Sequence, residues 1–123
     1  MFQYLNGIWK RKRKNKMKIE SIKTKFGKIK FFKTKEASFN IETILPKKKP
    51  PTFYLKRSNG YLIIVKGNAN SSKGKLKKGD FIKIKPKEKF WIENNSNKNL
   101  KYLAIDIPPV DESGIVWEKE NEN

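Results

Sequence analysis

Gly79-Asp80-Phe81-Ile82-Lys83-Ile84-Lys85-Pro86-Lys87-Glu88-Lys89-Phe90-Trp91-Ile92-Glu93-Asn94 carries the densest pattern in this chain of 123 residues. A Gly-Asp corner opens it, Phe81 to Lys85 reads as a short strand, Pro86 centres a turn, and Phe90 to Asn94 reads as a second strand. Asp80 suits a turn role, its carboxylate accepting backbone amides at the Gly79 corner.

Outward from this stretch the chain continues as short strands with turn punctuation, from Ile19 onward and without a helical period. Downstream, a turn at Asn95 to Asn99 precedes a strand over Leu100 to Ile107. Upstream, Gly67-Asn68-Ala69-Asn70-Ser71-Ser72-Lys73-Gly74 reads as a polar turn region. Phe53 to Lys56 and Tyr61 to Lys66 read as a hairpin across Ser58-Asn59-Gly60, because Asn-Gly is a strong hairpin signal. Phe39, Ile41, Thr43 and Leu45 alternate with Asn40, Glu42 and Ile44 as in a half-buried strand, which Pro46, Pro50 and Pro51 end. Many short strands at regular spacing and no internal repeat predict an all-β jelly-roll barrel.

The opening stretch resembles the second conserved motif of the cupin barrels, which runs Gly-Asp, an apolar strand, a Pro-centred turn and a metal-binding histidine, with Asn four residues later. Phe90 holds the histidine place, ten residues after Asp80, and Asn94 follows it. Tyr61-Leu62-Ile63-Ile64-Val65-Lys66-Gly67 is similar to the end of the first cupin motif, which carries two histidines and a glutamate. Counting back from Gly67 puts Gly60 at the glutamate place and Phe53 with Leu55, or Tyr54 with Lys56, at the histidine pair. The likeness covers roughly residues 39 to 109. The close, Leu103-Ala104-Ile105-Asp106-Ile107-Pro108-Pro109 and then Asp111, is similar to small cupins of the mannose-6-phosphate isomerase type.

The resemblance implies a metal held inside the barrel by imidazole and carboxylate, which the ion needs as lone-pair donors at fixed distance. Phenylalanine, leucine and glycine offer none, and the chain has no histidine and no cysteine. Two readings of Phe53, Leu55, Gly60 and Phe90 stand: they fill the core, or they line an apolar pocket together with Tyr102 and Asp106. Without histidine, acid–base chemistry near neutral pH falls to Asp, Glu, Lys or Tyr. Glu42 and Glu93 lie opposite the apolar alternation of their strands and are expected to face solvent. Asp106 shares a strand face with Tyr102 and Ala104 and reads either as a salt-bridged surface acid or as a buried functional one.

The formal net charge is +18, with 30 Lys and Arg against 12 Asp and Glu. Seven of the cations, Lys10, Arg11, Lys12, Arg13, Lys14, Lys16 and Lys18, crowd residues 1–18, which read as a flexible basic arm unless translation starts at Met17. Without them the net charge is still +11. Residues 19–117 then form one cupin-like barrel and 118–123 an acidic tail. Lys, Ile and Asn, all encodable by AT-only codons, make up 53 residues, so genome composition accounts for part of the lysine bias. Lys73, Lys75, Lys83, Lys85 and Lys87 are the candidate anion-binding lysines, and Trp91, Tyr54 and Tyr61 offer aromatic rings among them. The longest apolar run, Leu62 to Val65, is far too short for a membrane span. Cytoplasm is the default compartment.

The expected function is a metal-free, non-catalytic binding or scaffold barrel, without cofactor, for a small anionic or sugar-phosphate-like ligand. Sequence-independent nucleic-acid binding through the lysines and the basic arm is the alternative, and residual isomerase or epimerase activity ranks last. These readings allow a homodimer and exclude a membrane partner.

Overall fold

Ile44, Leu62, Ile64, Ala69, Leu76, Ile84, Phe90, Ile92, Leu100 and Tyr102 pack into one buried cluster, and the strands that supply them define the architecture. The structure is a computed structural model that describes residues 19–119, with Glu112 described in its backbone only. Its strands are β1 (Glu20–Thr24), β2 (Gly27–Lys33), β3 (Ser38–Ile44), β4 (Phe53–Leu55), β5 (Asn59–Lys66), β6 (Asn68–Ser71), β7 (Gly74–Lys77), β8 (Phe81–Ile84), β9 (Ile92–Glu93), β10 (Leu100–Ile107) and β11 (Ile115–Trp117). Among the described residues the only helical element is one 3₁₀ turn at Glu112–Gly114, and no helix could cross a membrane.

Six strands form an antiparallel sheet in the order β1-β2-β3-β10-β5-β8; β7-β6-β9 and β11-β4 form two smaller sheets. The pairs β3 with β10, β5 with β10, and β6 with β9 join strands remote in sequence, as an all-β jelly roll requires. Phe53 and Phe90 add a bridge, each donating its N–H to the other's carbonyl, at 3.0 and 2.8 Å.

Two glycines are dictated by geometry. Gly79 takes φ 92° in the corner where Lys77 donates its N–H to the Asp80 carboxylate at 2.8 Å, the turn role read from the sequence. Gly67 takes φ 91°, and a Cβ there would lie 2.9 Å from the Asn99 carbonyl oxygen.

Three local expectations are corrected. Phe53 to Lys56 and Tyr61 to Lys66 do not form a hairpin: β4 pairs with β11, and Asn59 and Gly60 are already the first residues of β5. Gly60 is a glycine for space, since a Cβ would come within 3.1 Å of Leu55 and 3.2 Å of Asp106 Oδ1. The polar run after Gly67 holds the β6–β7 hairpin, with Ala69 and Leu76 in the core. In β3 the buried parity is the opposite of the expected one. Ile41 is 40% exposed, whereas Ser38 and Ile44 are buried. The outer face of the large sheet is itself apolar, with Phe32 stacked on Phe39 at 4.7 Å, so apolar residues do not mark the inner face of this strand. Glu118, assigned to the tail by sequence, is tied to the barrel by its N–H to the Thr52 carbonyl. Residues 1–18 and 120–123 lie outside the described residues.

Asn94, fully buried, holds the end of β3 against the loop before β10. Its amide donates to the carbonyls of Ile44 at 2.9 Å, Leu45 at 3.1 Å and Lys98 at 2.8 Å. Asn94→Ala leaves those carbonyls short of donors and is expected to cost at least about 2 kcal/mol in denaturant unfolding. Phe90, 0% exposed, is expected to cost about 3 to 5 kcal/mol when cut to alanine. A near wild-type midpoint for Phe90→Ala would place Phe90 outside the core and undo the motif register.

Candidate functional site

Two facing walls enclose a cavity of about 80 Å³ inside the barrel. One wall is polar: Asn40 and Glu42 from β3, Tyr102 and Asp106 from β10. Leu62 and Ile84, from β5 and β8, extend the same sheet with apolar side chains, and the other wall is apolar: Phe53 and Leu55 from β4, Ile115 and Trp117 from β11. Phe53 leans on Trp117 at 5.0 Å and meets Phe90 edge-on at 5.9 Å. The space suits a few waters or a ligand of a handful of heavy atoms.

Of the six residues the sequence nominated for the interior, Phe53, Leu55, Gly60, Tyr102 and Asp106 line this cavity. Phe90 does not; it is packed in the core. Between the two motif registers, Phe53 with Leu55 turn inward, while Tyr54 and Lys56 line an outer cleft.

Glu42 corrects the sequence reading most sharply. It lies in the barrel interior, opposite Tyr102 in the β3–β10 register, and accepts a hydrogen bond from the Tyr102 hydroxyl. Burial raises the Glu42 pKa above the usual carboxylate value, and the Tyr102 bond only partly offsets this. Burial, and then the Glu42 charge, push Tyr102 well above the usual phenol value, so Tyr102 keeps its proton and donates it. The missed signal was parity with Ile44: Ser38, Asn40 and Glu42 all fall on its side of the strand. Glu93 is half-buried in β9.

Asp106 is 7% exposed and has no ion pair among the described residues, so it is no salt-bridged surface acid. It pairs with Gly60 in the β10–β5 register and with Ser38 in the β10–β3 register. The Ser38 hydroxyl reaches Asp106 Oδ2 at 3.5 Å, too long to compensate much burial, and the pKa is raised to about 6. Gly60 leaves the room into which Asp106 projects its carboxylate from the neighbouring strand.

A cupin metal does not fit this site. The four places that the sequence resemblance assigns to ligands hold Phe53, Leu55, Gly60 and Phe90, none with a side-chain donor, and the described residues contain no group of three or more His, Cys, Asp or Glu able to hold an ion. Glu42 and Asp106 supply two carboxylates, one of them already engaged by Tyr102.

The candidate lysines are dispersed. Lys73 is ion-paired with Glu88 at 2.6 Å, and that hydrogen bond holds the Glu88 pKa low. The Lys85 N–H donates to the same carboxylate at 2.8 Å. Lys75 lies with Lys77 beside Asp80, Lys83 sits 5.9 Å from the Tyr61 ring, and Lys87 lines the outer cleft with Tyr54. Trp91 is half-buried under the Lys49 ammonium, 4.6 Å from its ring.

No family model matches the sequence, and no curated protein is significantly similar to it. Solved structures are similar in fold. A conserved protein with a double-stranded β-helix domain from Klebsiella pneumoniae aligns with TM-score 0.66 at 15% identity, over 82% of this chain and 86% of that one. A deletion mutant of Bacillus subtilis oxalate decarboxylase aligns with TM-score 0.71 at 16% identity, over 80% of this chain and 30% of that one. The Lactobacillus farciminis oxalate decarboxylase in its formate complex gives TM-score 0.71 at 16% identity, over 80% and 33%. This chain therefore spans about a third of the decarboxylases it matches. Its fold is the double-stranded β-helix, the cupin barrel.

The unfolded chain ionises Asp106 near 3.8 and the folded one only near 6, so the native state holds the proton more tightly. Relative to an acid with an unperturbed pKa, this group costs the fold nothing below the lower value, costs more as pH rises between the two, and costs its full amount above the upper one. Asp106→Asn removes the titration. Its unfolding free energy is expected to gain on wild type by on the order of 2 to 3 kcal/mol between about pH 3.5 and pH 7. Parallel pH profiles for the two proteins would show that Asp106 is not desolvated.

Proposed function

We propose that this protein is a binding barrel that works without a metal or other cofactor and takes a small neutral or cationic ligand, such as an amine or a diol, in the cavity between Glu42, Tyr102 and Asp106. The observation that carries this reading is the pairing of non-donor residues at the four places the resemblance assigns to metal ligands with a cavity lined by two acids and two tyrosines, Glu42, Asp106, Tyr61 and Tyr102, and by no cation. An acid wall of this kind repels anions and offers acceptors to N–H and O–H groups. The apolar wall opposite would cover the carbon skeleton and exclude water.

The sugar-phosphate-like ligand expected from the mannose-6-phosphate isomerase resemblance is disfavoured inside the barrel by the same acids. Oxalate, named in the oxalate decarboxylases of similar fold, is disfavoured for the same reason. With a net charge of +18 over the whole chain, a face that attracts anions is sought on the outer surface.

Titrating ethanolamine, glycerol and oxalate into protein labelled for NMR tests the reading. Ethanolamine or glycerol is expected to shift resonances of Leu62, Ile84 and Tyr102, and oxalate to leave them in place. Oxalate bound among those residues would overturn the acid-wall argument. Elemental analysis of untagged protein is expected to find no stoichiometric Mn, Fe, Ni or Zn; one tightly held ion per chain would sink the cofactor-free barrel.

A further inference from the structure

On the outer side of β4 the chain builds a second concavity with the opposite electrostatic character. Phe53 and Leu55 turn into the barrel, so Tyr54 and Lys56 turn out. The turn after Pro86 is docked against this strand by the Lys87 N–H, which donates to the Leu55 carbonyl at 2.6 Å. That bond holds Lys87 in a left-handed conformation, φ 67°, which a lysine adopts rarely. Tyr54, Lys56, Arg57, Lys87 and Lys89 together line an open cleft of about 590 Å³.

Four of those five side chains are cations. Lys89 is offset by Glu118 at 2.8 Å; Lys56, Arg57 and Lys87 have no ion pair among the described residues. Like charges gathered in one concavity repel, and the repulsion is relieved when an anion enters. Arg57 adds a chemical signal. Lysine supplies nearly all the cations of this chain, and Arg57 is the only arginine beyond residue 13. A guanidinium offers the planar fork that grips two phosphate oxygens at once, which an ammonium does not. Tyr54 places a ring in the same cleft, able to carry a planar base.

We propose that the cleft between β4 and the turn after Pro86 is a binding site for a nucleoside phosphate, with Arg57, Lys56 and Lys87 on the phosphate and Tyr54 beneath the base. The phosphate can belong to a free nucleotide or to a single strand. The site lies outside the barrel and stands or falls independently of what the interior binds.

The full chain, at low salt, is titrated with ATP, with tripolyphosphate and with a ten-nucleotide oligo(dT). Arg57→Glu is compared with Lys75→Glu, which makes the same charge change in the groove beside Asp80, whose lining shares no residue with the cleft. Both variants are first shown to keep the wild-type thermal midpoint. Arg57→Glu is expected to weaken ATP binding by about tenfold or more and Lys75→Glu by about twofold or less, since loss of a fork contact exceeds loss of a distant charge. Tyr54→Ala is expected to weaken ATP but not tripolyphosphate. Tighter binding of the oligonucleotide than of ATP, lost in Arg57→Glu, assigns the site to a strand; the reverse order assigns it to a free nucleotide. Equal losses from the two charge reversals would make the surface a generic polycation and overturn the site. Failure of wild type to bind either ATP or the oligonucleotide would do the same, and equal losses of ATP and tripolyphosphate in Tyr54→Ala would remove the base from the assignment.

Discussion

The reciprocal backbone pair between Phe53 and Phe90 is the contact on which the barrel interior depends. It joins β4, from the first motif region, to the start of the second strand of the later motif, 37 residues on, and stands their rings edge-to-face at 5.9 Å. The sequence resemblance puts both residues at places where the metal-binding cupins carry ligands, so that an ion would tie the two regions together there. Here the tie is two hydrogen bonds and an aromatic contact, shielded from water by full burial of Phe90. Such a tie needs no ligand to form, and it leaves the rest of the barrel free to keep or lose polar groups without losing its closure.

The landmarks that fix chain direction were legible in the sequence because each has a single local cause. Gly79 and Asp80 make a corner through a positive φ and a carboxylate, and Leu100 to Ile107 is one unbroken strand between turn residues. Asn59 and Gly60 misled for the opposite reason: the same dipeptide that makes a turn also makes a strand start where a neighbour needs the space of a missing Cβ. The inward face of β3 was illegible from its own residues, since its outward, half-buried Phe39 stacks on Phe32, a contact across strands that local alternation does not contain. Glu42 was lost with that face. Asp106 was placed on the right face, beside Tyr102, but its room beside Gly60 and its long hydrogen bond from Ser38 come from two other strands. The outer cleft was hidden likewise, because it needs the turn after Pro86 to dock on β4.

Charge in this molecule is sorted by depth. Two of the acids, Glu42 and Asp106, line the interior, while the lysines stand outside, Lys73 and Lys89 paired with the surface acids Glu88 and Glu118. Sorting of that kind does not help the fold. A carboxylate held away from water destabilises the native state at neutral pH, as the raised pKa of Asp106 records, and an apolar residue of similar volume at that position would remove the cost.

The fold itself supplies cheaper solutions nearby. Ala104, between Tyr102 and Asp106 on the same inward face, shows that β10 accepts a small apolar side chain toward the cavity. The β8 residue Ile84 shows the same for a branched one. In the proposed reading, Glu42, Asp106 and Tyr102 have a use that packing does not provide: they present acceptors and a fixed donor to the ligand. Apart from the Tyr102–Glu42 hydrogen bond, these polar groups gain little from the protein itself, and under the proposed reading the compensation comes with the ligand, when Asp106 accepts the hydrogen bond that Ser38 makes only at 3.5 Å.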